Sequence, residues 1–555
     1  MKIKKLLAVA LSVITVSTCT CAVGCGPSAP TQDGKTVNVM MQLAGWGIDY
    51  AKDVAKEFEK LYAEEGYKIN FLEPKSTFNG SSALTEMRLD YDKSGLDLVF
   101  TGGVTLNQAL DPEYGECITD LDDLYSQPAI NFDGSLGEKS IGEMVSEKAK
   151  RRLQKNGKYY TLGMTKGVRG LVYNQRVLTK YGIDAPPVTT DELFEQFDII
   201  LNGTNDIPGI RPVTWGGSTA ASYALGTLYA GLAQLMGVEA YDEFFELDYL
   251  LNEDGTIKSD GYKLYEDNAT AFKEVLEVVS QKFDVLYSYT GSKTQSHGDA
   301  HAQLVAGRTA FMQDGEYFYN EVQYDFPSYL GDIRMAPNPI ISYLGVQEKL
   351  DGTGENRELC DDILSFMCKL YDNGATNDEI KTSTEQEFSI TLTDEKVARI
   401  VEARGVMHAD GGGGGIFVMK QSPVKDIAKL FLRMMLSEDA AKSYTKYGMI
   451  AAYADVNPSE YKSEFTRDVA KILTKLNYNT TSVIMPGTVR GNTNMFLIPP
   501  YSATFVVDIN NEIGVPDSVA DRDYALIASN VLKKVQDTTK DNWETYFAVG
   551  GYRLG

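Results

Sequence analysis

The chain has 555 residues, 53 of them basic and 77 acidic, for a formal net charge of −24. That length exceeds one ordinary hydrophobic core, so two or more lobes are expected. So acidic a surface repels nucleic acid and anionic lipid, which excludes both as partners of a bare protein face.

Lys2, Lys4 and Lys5 are the only charges in the first 30 residues, and they precede an apolar run from Leu6 to Val16. A positive stretch followed by a short apolar one is the layout of a secretory signal. The run is too short to span a bilayer, which takes about 20 apolar residues, and no other run is long enough. Ala22-Val23-Gly24-Cys25 then resembles the bacterial lipobox, a small or aliphatic triplet before a cysteine that is lipidated after cleavage. Ala22 departs from that motif, which usually has leucine there. Residues 1–24 are therefore expected to be a signal peptide, Cys25 the lipidated residue, and 25–35 a flexible tether. The expected location is outside the cell, at the outer face of the cytoplasmic membrane, with lipid as the only anchor.

The segment TVNVMMQLAGWG alternates Val37, Val39 and Met41 on one face and reads as a strand. AKDVAKEFEKLYAEEG follows with Val54, Phe58 and Leu61 at helical spacing and Gly66 as a C-cap. YKINF and LDLVFTGG are two further strands, so the pattern is that of a parallel sheet. Gly170–Tyr173 is a strand that runs into a short helix ending at Gly182. Thr189 and Glu192 form a capping box for a helix that buries Leu193, Phe194, Phe197, Ile200 and Leu201. Ser422 and Pro423 start a late helix with an apolar stripe at Ile427, Leu430, Phe431 and Met434.

GLVYNQRVLTKYGIDAPPVTTDELFE resembles the central signature of bacterial extracellular solute-binding proteins of family 1, the group of the maltodextrin-binding protein. LNEDGTIKSD, LVAGRTAFMQDGEYFYNEV, RMAPNPI and IFVMKQSPVKDIAKLFLRMMLSEDAAKSYTKYGMIAAY resemble later segments of that family, in its order. Together they cover most of residues 35–455; residues 455–555 match only loosely. The resemblance implies an α/β, two-lobed, periplasmic-binding-protein-like fold of type II, with strands crossing a hinge. It places residues 36–167 plus 335–450 in one lobe and 168–334 plus 451–555 in the other. It also implies a non-enzymatic receptor of an ABC importer, with a carbohydrate, most simply an oligosaccharide, as ligand and membrane permease subunits as partner. Two other readings stay open at this point: a secreted carbohydrate-active enzyme and a ligand-presenting sensor module.

In α/β sheets, ligands meet loops at the carboxyl ends of strands. Trp46 lies between glycines just past the first strand, a fit for stacking on a sugar ring. Thr101 and Gly102 end the LDLVF strand, where glycine lets backbone approach a ligand. Arg169 sits at the expected crossover, where its guanidinium can bond hydroxyls or a carboxylate. Trp215 precedes glycines in VTWGG. Asp314, Glu316 and Tyr317 fall in the segment that, by the resemblance, supplies an aromatic platform, with Tyr317 in the aromatic place.

Catalytic and metal motifs are sparse. The three histidines are His297, His301 and His408. His297 and His301 have the i, i+4 spacing of a helical zinc pair, with Asp299 between them, but no adjacent cysteine or HExxH glutamate completes a set, so no metal or other cofactor is expected. LNEDGTIKSD lacks ligands at the ends of a calcium loop and reads as a hairpin. Cys117, Cys360 and Cys368 have no CxxC spacing and read as buried thiols.

Overall fold

A computed structural model of the chain describes residues 30–479 and 521–548, apart from 44, 46, 113–114, 146–149, 151–152, 204–208, 219–224, 246–249, 251, 255, 324 and 409–414. The expected signal peptide and Cys25 lie outside the described residues. No described helix is long and apolar enough to cross a membrane.

The alternation at Val37, Val39 and Met41 makes β1 (Thr36–Met41), and the Val54–Phe58 stripe makes α1 (Asp49–Leu61). β2 (Lys68–Phe71) and β3 (Leu98–Thr101) follow. β1 lies between them and runs parallel to both, with Val39 opposite Phe71 and Leu98. This is the arrangement that a strand–helix–strand pattern dictates. The chain then crosses to a second lobe: Leu162 and Met164 are buried in the first core, Val168 in another.

The second lobe begins with β4 (Arg169–Asn174) and α2 (Thr190–Asn202). Thr189 caps α2, its Oγ1 accepting from the Glu192 N–H at 3.2 Å. Glu192 gives one carboxylate oxygen to the Val188 N–H, 2.6 Å away, and the other to Ser365 and Lys369, so the expected capping box is only half made. β5 (Arg211–Thr214), α3 (Leu225–Met236), α4 (Ala269–Lys282), α5 (His297–Val305), β6 (Thr309–Gly315), α6 (Phe318–Val322) and β7 (Ile333–Ala336) complete the sheet and its first covering. Strand order is β7–β4–β6–β5, with β6 parallel to β5 and antiparallel to β4. On one face Val172, Met312 and Met335 pack with Leu304 and Phe318; on the other Leu171, Tyr173 and Phe311 pack with Phe197.

The resemblance gives residues 335–450 to the first lobe. The packing differs. β7 pairs antiparallel with β4, inside the second sheet. Ile340 and Leu344 then lead into α7 (Arg357–Asp372), α8 (Asn377–Phe388) and α9 (Asp394–Arg404), which bury Ile363, Leu364, Met367, Val397 and Ile400 against α3 and α4. Each such side chain gains about 1.5–3 kcal/mol by leaving water, and the apolar faces of α3 and α4 are where these helices find it. The return crossing therefore falls after His408, before β8 (Gly415–Val418), which pairs antiparallel with β3.

α10 (Lys425–Met435) packs Phe431 edge-on against Phe58 of α1, with ring centroids 5.5 Å apart. It starts two residues later than sequence suggests, because Ser422 donates its hydroxyl to Asp97 at 2.6 Å. A third crossing follows at 450–456. The Lys166 N–H donates to the Ile450 carbonyl at 2.8 Å and the Ala452 N–H to that of Met164 at 2.9 Å. First and third crossings thus pair as an antiparallel strap between the lobes. α11 (Glu464–Thr474) and α12 (Tyr524–Ala548) return to the second lobe, where Val531, Val535 and Trp543 share a core with Val275 and Val279 of α4.

Candidate functional site

β5 and β6 end, and β4 begins, at one edge of the second sheet, the edge next to the crossings. β1 and β3 end on the first lobe with the loops Gln42–Gly47 and Gly102–Gly103. The two edges meet. Gly45 sits at φ +51°, and a Cβ built on it would lie 3.5 Å from the Cβ of Tyr317. Only glycine holds such a conformation without strain, so the loop bends close to the second lobe at this point.

The candidate residues separate into three kinds. Trp46 lies outside the described residues. Thr101 is buried, and its hydroxyl donates to the Phe78 carbonyl at 2.9 Å, so it closes the end of β3. The Gly102 N–H donates to Oε1 of Gln42 at 2.7 Å. Trp215 is a core residue: its indole N–H donates to Ser288 at 2.9 Å and its ring meets Phe283 edge-on. A strand end carries both kinds of tryptophan, and sequence does not tell them apart.

Glu316 is buried and works as a clamp. Its carboxylate accepts from the Val168 N–H at 2.8 Å while its own N–H donates to the Val168 carbonyl at 3.1 Å. It thereby ties the end of β6 to the first crossing and sets Tyr317, the next residue, facing the first lobe. Arg169 opens β4, its N–H donating to the His408 carbonyl at 2.6 Å. It joins a polar knot that sequence reading did not find. The His408 ring stacks on Tyr229, with centroids 5.4 Å apart. Gly226 packs against both: a Cβ there would lie 3.4 Å from His408 Cδ2, 3.6 Å from Gln313 Nε2 and 3.8 Å from Arg169 Cδ.

Beneath the knot, Lys282 is 1% exposed and donates to Gln313 Oε1 at 2.7 Å and to Thr227 at 3.0 Å. Burial pulls its amine down to about 7. Because Gln313 spends its oxygen on Lys282, its amide nitrogen turns the other way, toward Gly226. That nitrogen is buried and has no hydrogen-bond partner among the described residues. An unmet donor in a buried place is costly, about 1–3 kcal/mol, and is recovered when an acceptor arrives. Sequence points to Arg169 of this knot and not to its partners, since the members lie on β4, β6, α3, α4 and the second crossing.

Asp314 faces the other side of β6. Its Oδ2 lies 2.7 Å from Nε2 of His301 and 3.6 Å from Nε2 of His297, and Glu321 of α6 closes the group. Burial works to raise the Asp314 carboxyl, but the two histidines and the Gly315 N–H outweigh it and hold it below its ordinary value. Burial, with the Asp314 charge adding, pushes Glu321 up to about 7. His297, His301 and Glu321 place ligand atoms within 4.8 Å of one another. Spacing alone showed the two histidines; the third ligand arrives on another helix. Asp299, between them in sequence, is spent capping α5 through Ser296.

No protein-family model matches the sequence, and no curated relative does. Solved structures do match. A chitin oligosaccharide binding protein superposes with a TM-score of 0.54 at 13% identity, over 91% of this chain and 99% of its own. An ABC transporter solute-binding protein from Thermotoga lettingae, bound with α-D-tagatose, gives 0.53 at 15% identity over 91% and 99%. The bacterial solute receptor AcbH, described as preferring β-D-galactopyranose, gives 0.53 at 13% over 92% and 99%. The chain has the fold of the extracellular solute-binding proteins. In the solute-binding fold two α/β lobes face each other across crossing segments, which is the relation between the Gln42–Gly47 loop and Tyr317 here.

Proposed function

We propose that this protein is the receptor of an ABC importer, capturing a carbohydrate, most simply an oligosaccharide, between its lobes and passing it to membrane permease subunits. The meeting of Tyr317 with Gly45 carries the reading. It sets an aromatic residue of the second lobe against the backbone of the first, a place where a flat sugar ring can stack. Arg169, His408, Tyr229 and the unmet Gln313 amide line the second-lobe side, and Gly102 offers backbone on the first. Polar groups of fixed direction beside aromatic faces are the means by which a pocket orients a polyhydroxylated ligand. Thr101, Asp314 and Glu316 support that lining from behind it. The sugar-binding neighbours of the same fold favour the same ligand class. A ligand gripped by both lobes stabilises the shut form over the open one, and the paired crossings provide the hinge. Export through the leader and tethering through Cys25 would hold the receptor beside its permease.

The test is a thermal-shift screen of mono- and oligosaccharides, amino acids, peptides and anions, followed by solution scattering with the best ligand. A sugar that raises the melting temperature and reduces the radius of gyration is expected. Stabilisation by a peptide or an anion alone overturns the ligand class. A radius unchanged by a saturating ligand overturns the hinge.

A further inference from the structure

Two imidazoles and a carboxylate converge behind the candidate cleft. His297 and His301 are one turn apart on one face of α5, and Glu321 reaches them from α6. His297 Nε2 lies 3.7 Å from Glu321 Oε2, and His301 Nδ1 lies 3.9 Å from the same oxygen. An ion bound tetrahedrally at about 2.0–2.2 Å from each donor sets the donors roughly 3.3–3.6 Å apart. These two separations are within a few tenths of an ångström of that, and the two imidazole nitrogens lie within 4.8 Å of each other.

The fourth member fixes the chemistry. Asp314 is fully buried and sits 2.7 Å from His301 Nε2. A carboxylate at that distance takes the ring proton onto Nε2, which leaves Nδ1 with its lone pair directed at Glu321. Two acceptors facing each other repel unless a proton or a metal cation lies between them. A histidine that gives one N–H to a buried carboxylate and its other nitrogen to a metal is the usual arrangement around zinc. The charges agree: Asp314 and Glu321 together carry two negative charges when ionised, and a divalent ion balances them. Phe318 covers His301 edge-on, with centroids 4.6 Å apart, while the His297 and Glu321 side chains keep 18% and 30% exposure as a way in.

We propose that His297, His301 and Glu321 bind one divalent transition-metal ion of the zinc class, with Asp314 as the carboxylate that orients His301. Imidazole nitrogen with a single carboxylate suits zinc, cobalt or nickel and not calcium or magnesium, which want oxygen alone. Three protein ligands leave a fourth position for water. The ion joins α5 to α6, the helix that Tyr317 caps.

The test uses the full chain, stripped with chelator and titrated with zinc, cobalt, calcium and magnesium by calorimetry and metal analysis. One zinc per chain, a cobalt spectrum of tetrahedral nitrogen and oxygen ligation, and no response to calcium or magnesium are expected. Glu321→Gln keeps the fold, because that side chain is partly exposed, and weakens zinc at least tenfold. Asp314→Asn, acting through His301, weakens it by roughly 10–100-fold. His297→Ala serves as a second ligand variant, with circular dichroism as the check on folding. No saturable zinc uptake by the parent chain overturns the proposal, since protons then balance the cluster. Equal zinc affinity in the parent and in folded Glu321→Gln also overturns it.

Discussion

The two lobes offer the proposed cleft different things. The first brings backbone: the Gln42–Gly47 loop at the end of β1 and Gly102, whose N–H is already held by Gln42. The second brings side chains: Arg169, Tyr229, His408, Gln313 and Tyr317, backed by Lys282 and Glu316. Their interiors differ in the same sense. The first lobe packs apolar residues on both faces of a short sheet and keeps its buried Asp97, bonded by Asn38 and Ser422, where β3 begins, at the end of the sheet away from Gln42. The second sets buried polar groups, Lys282, Gln313, Asp314 and Glu316, along one strand end and the helices behind it. On the proposed reading, shape would belong to one lobe and chemical discrimination to the other, and a variant in each lobe separates the two contributions.

The largest effect is expected from Phe58→Ala. Phe58 is fully buried between β1 and α10, and removing a ring from such a site costs about 3–5 kcal/mol. Calorimetry should show the first lobe melting earlier while the second-lobe transition stays in place; equal displacement of both would mean that the lobes unfold as one unit. Next comes Tyr317→Ala, which removes the second lobe's aromatic contribution to the gap. Affinity for the best sugar should fall about thirtyfold, roughly 2 kcal/mol, and because Tyr317 is largely buried the free protein should also melt earlier, by less than Phe58→Ala. Retained affinity would place the ligand elsewhere.

Lys282→Met gives a smaller effect with a defined pH signature. The folded protein holds this amine at about 7, far below its unfolded value. Between that value and the ordinary lysine range the unfolded chain binds the extra proton, so stability rises with pH there. Below about 7 both states are protonated and the penalty of a buried charge is complete. The parent should therefore gain stability from about pH 7 toward 10 relative to Lys282→Met, read as the difference of their melting curves. A constant difference would mean that Lys282 stays charged throughout. Gly45→Ala is expected to cost the least, about 1 kcal/mol, from forcing a side chain into positive φ. Its mark should be weaker sugar binding, since the strained loop faces Tyr317.

Much of the first lobe was legible because its strands and α1 carry their periodicity locally, at Val37–Met41 and Val54–Phe58. The edge rule put Gly102, Arg169 and Tyr317 at or next to strand ends, where the structure has them, since strand ends are marked by glycines and by the loss of alternation. The return crossing was not legible. The segment 333–336 reads as a strand wherever it pairs, and only the apolar faces of α7–α9 decide which lobe holds it. Trp215 misled for a related reason: the sequence VTWGG does not show that Ser288 and Phe283 await the indole. Glu321, His408 and the Lys282–Gln313 contact were invisible because each joins elements far apart in the chain.

α12 lies against α4, and α4 ends in the lysine that orients the Gln313 amide. In synthesis, N-terminal segments fold first. Recognition is therefore finished from the back of the chain: until Val531 and Val535 are in place, the helix under the knot lacks its outer wall. A nascent polypeptide can close the first lobe only once residues up to about 451 have emerged, and the second waits longer still for 524–548, so the wall of the proposed cleft that carries its side chains is the last to set.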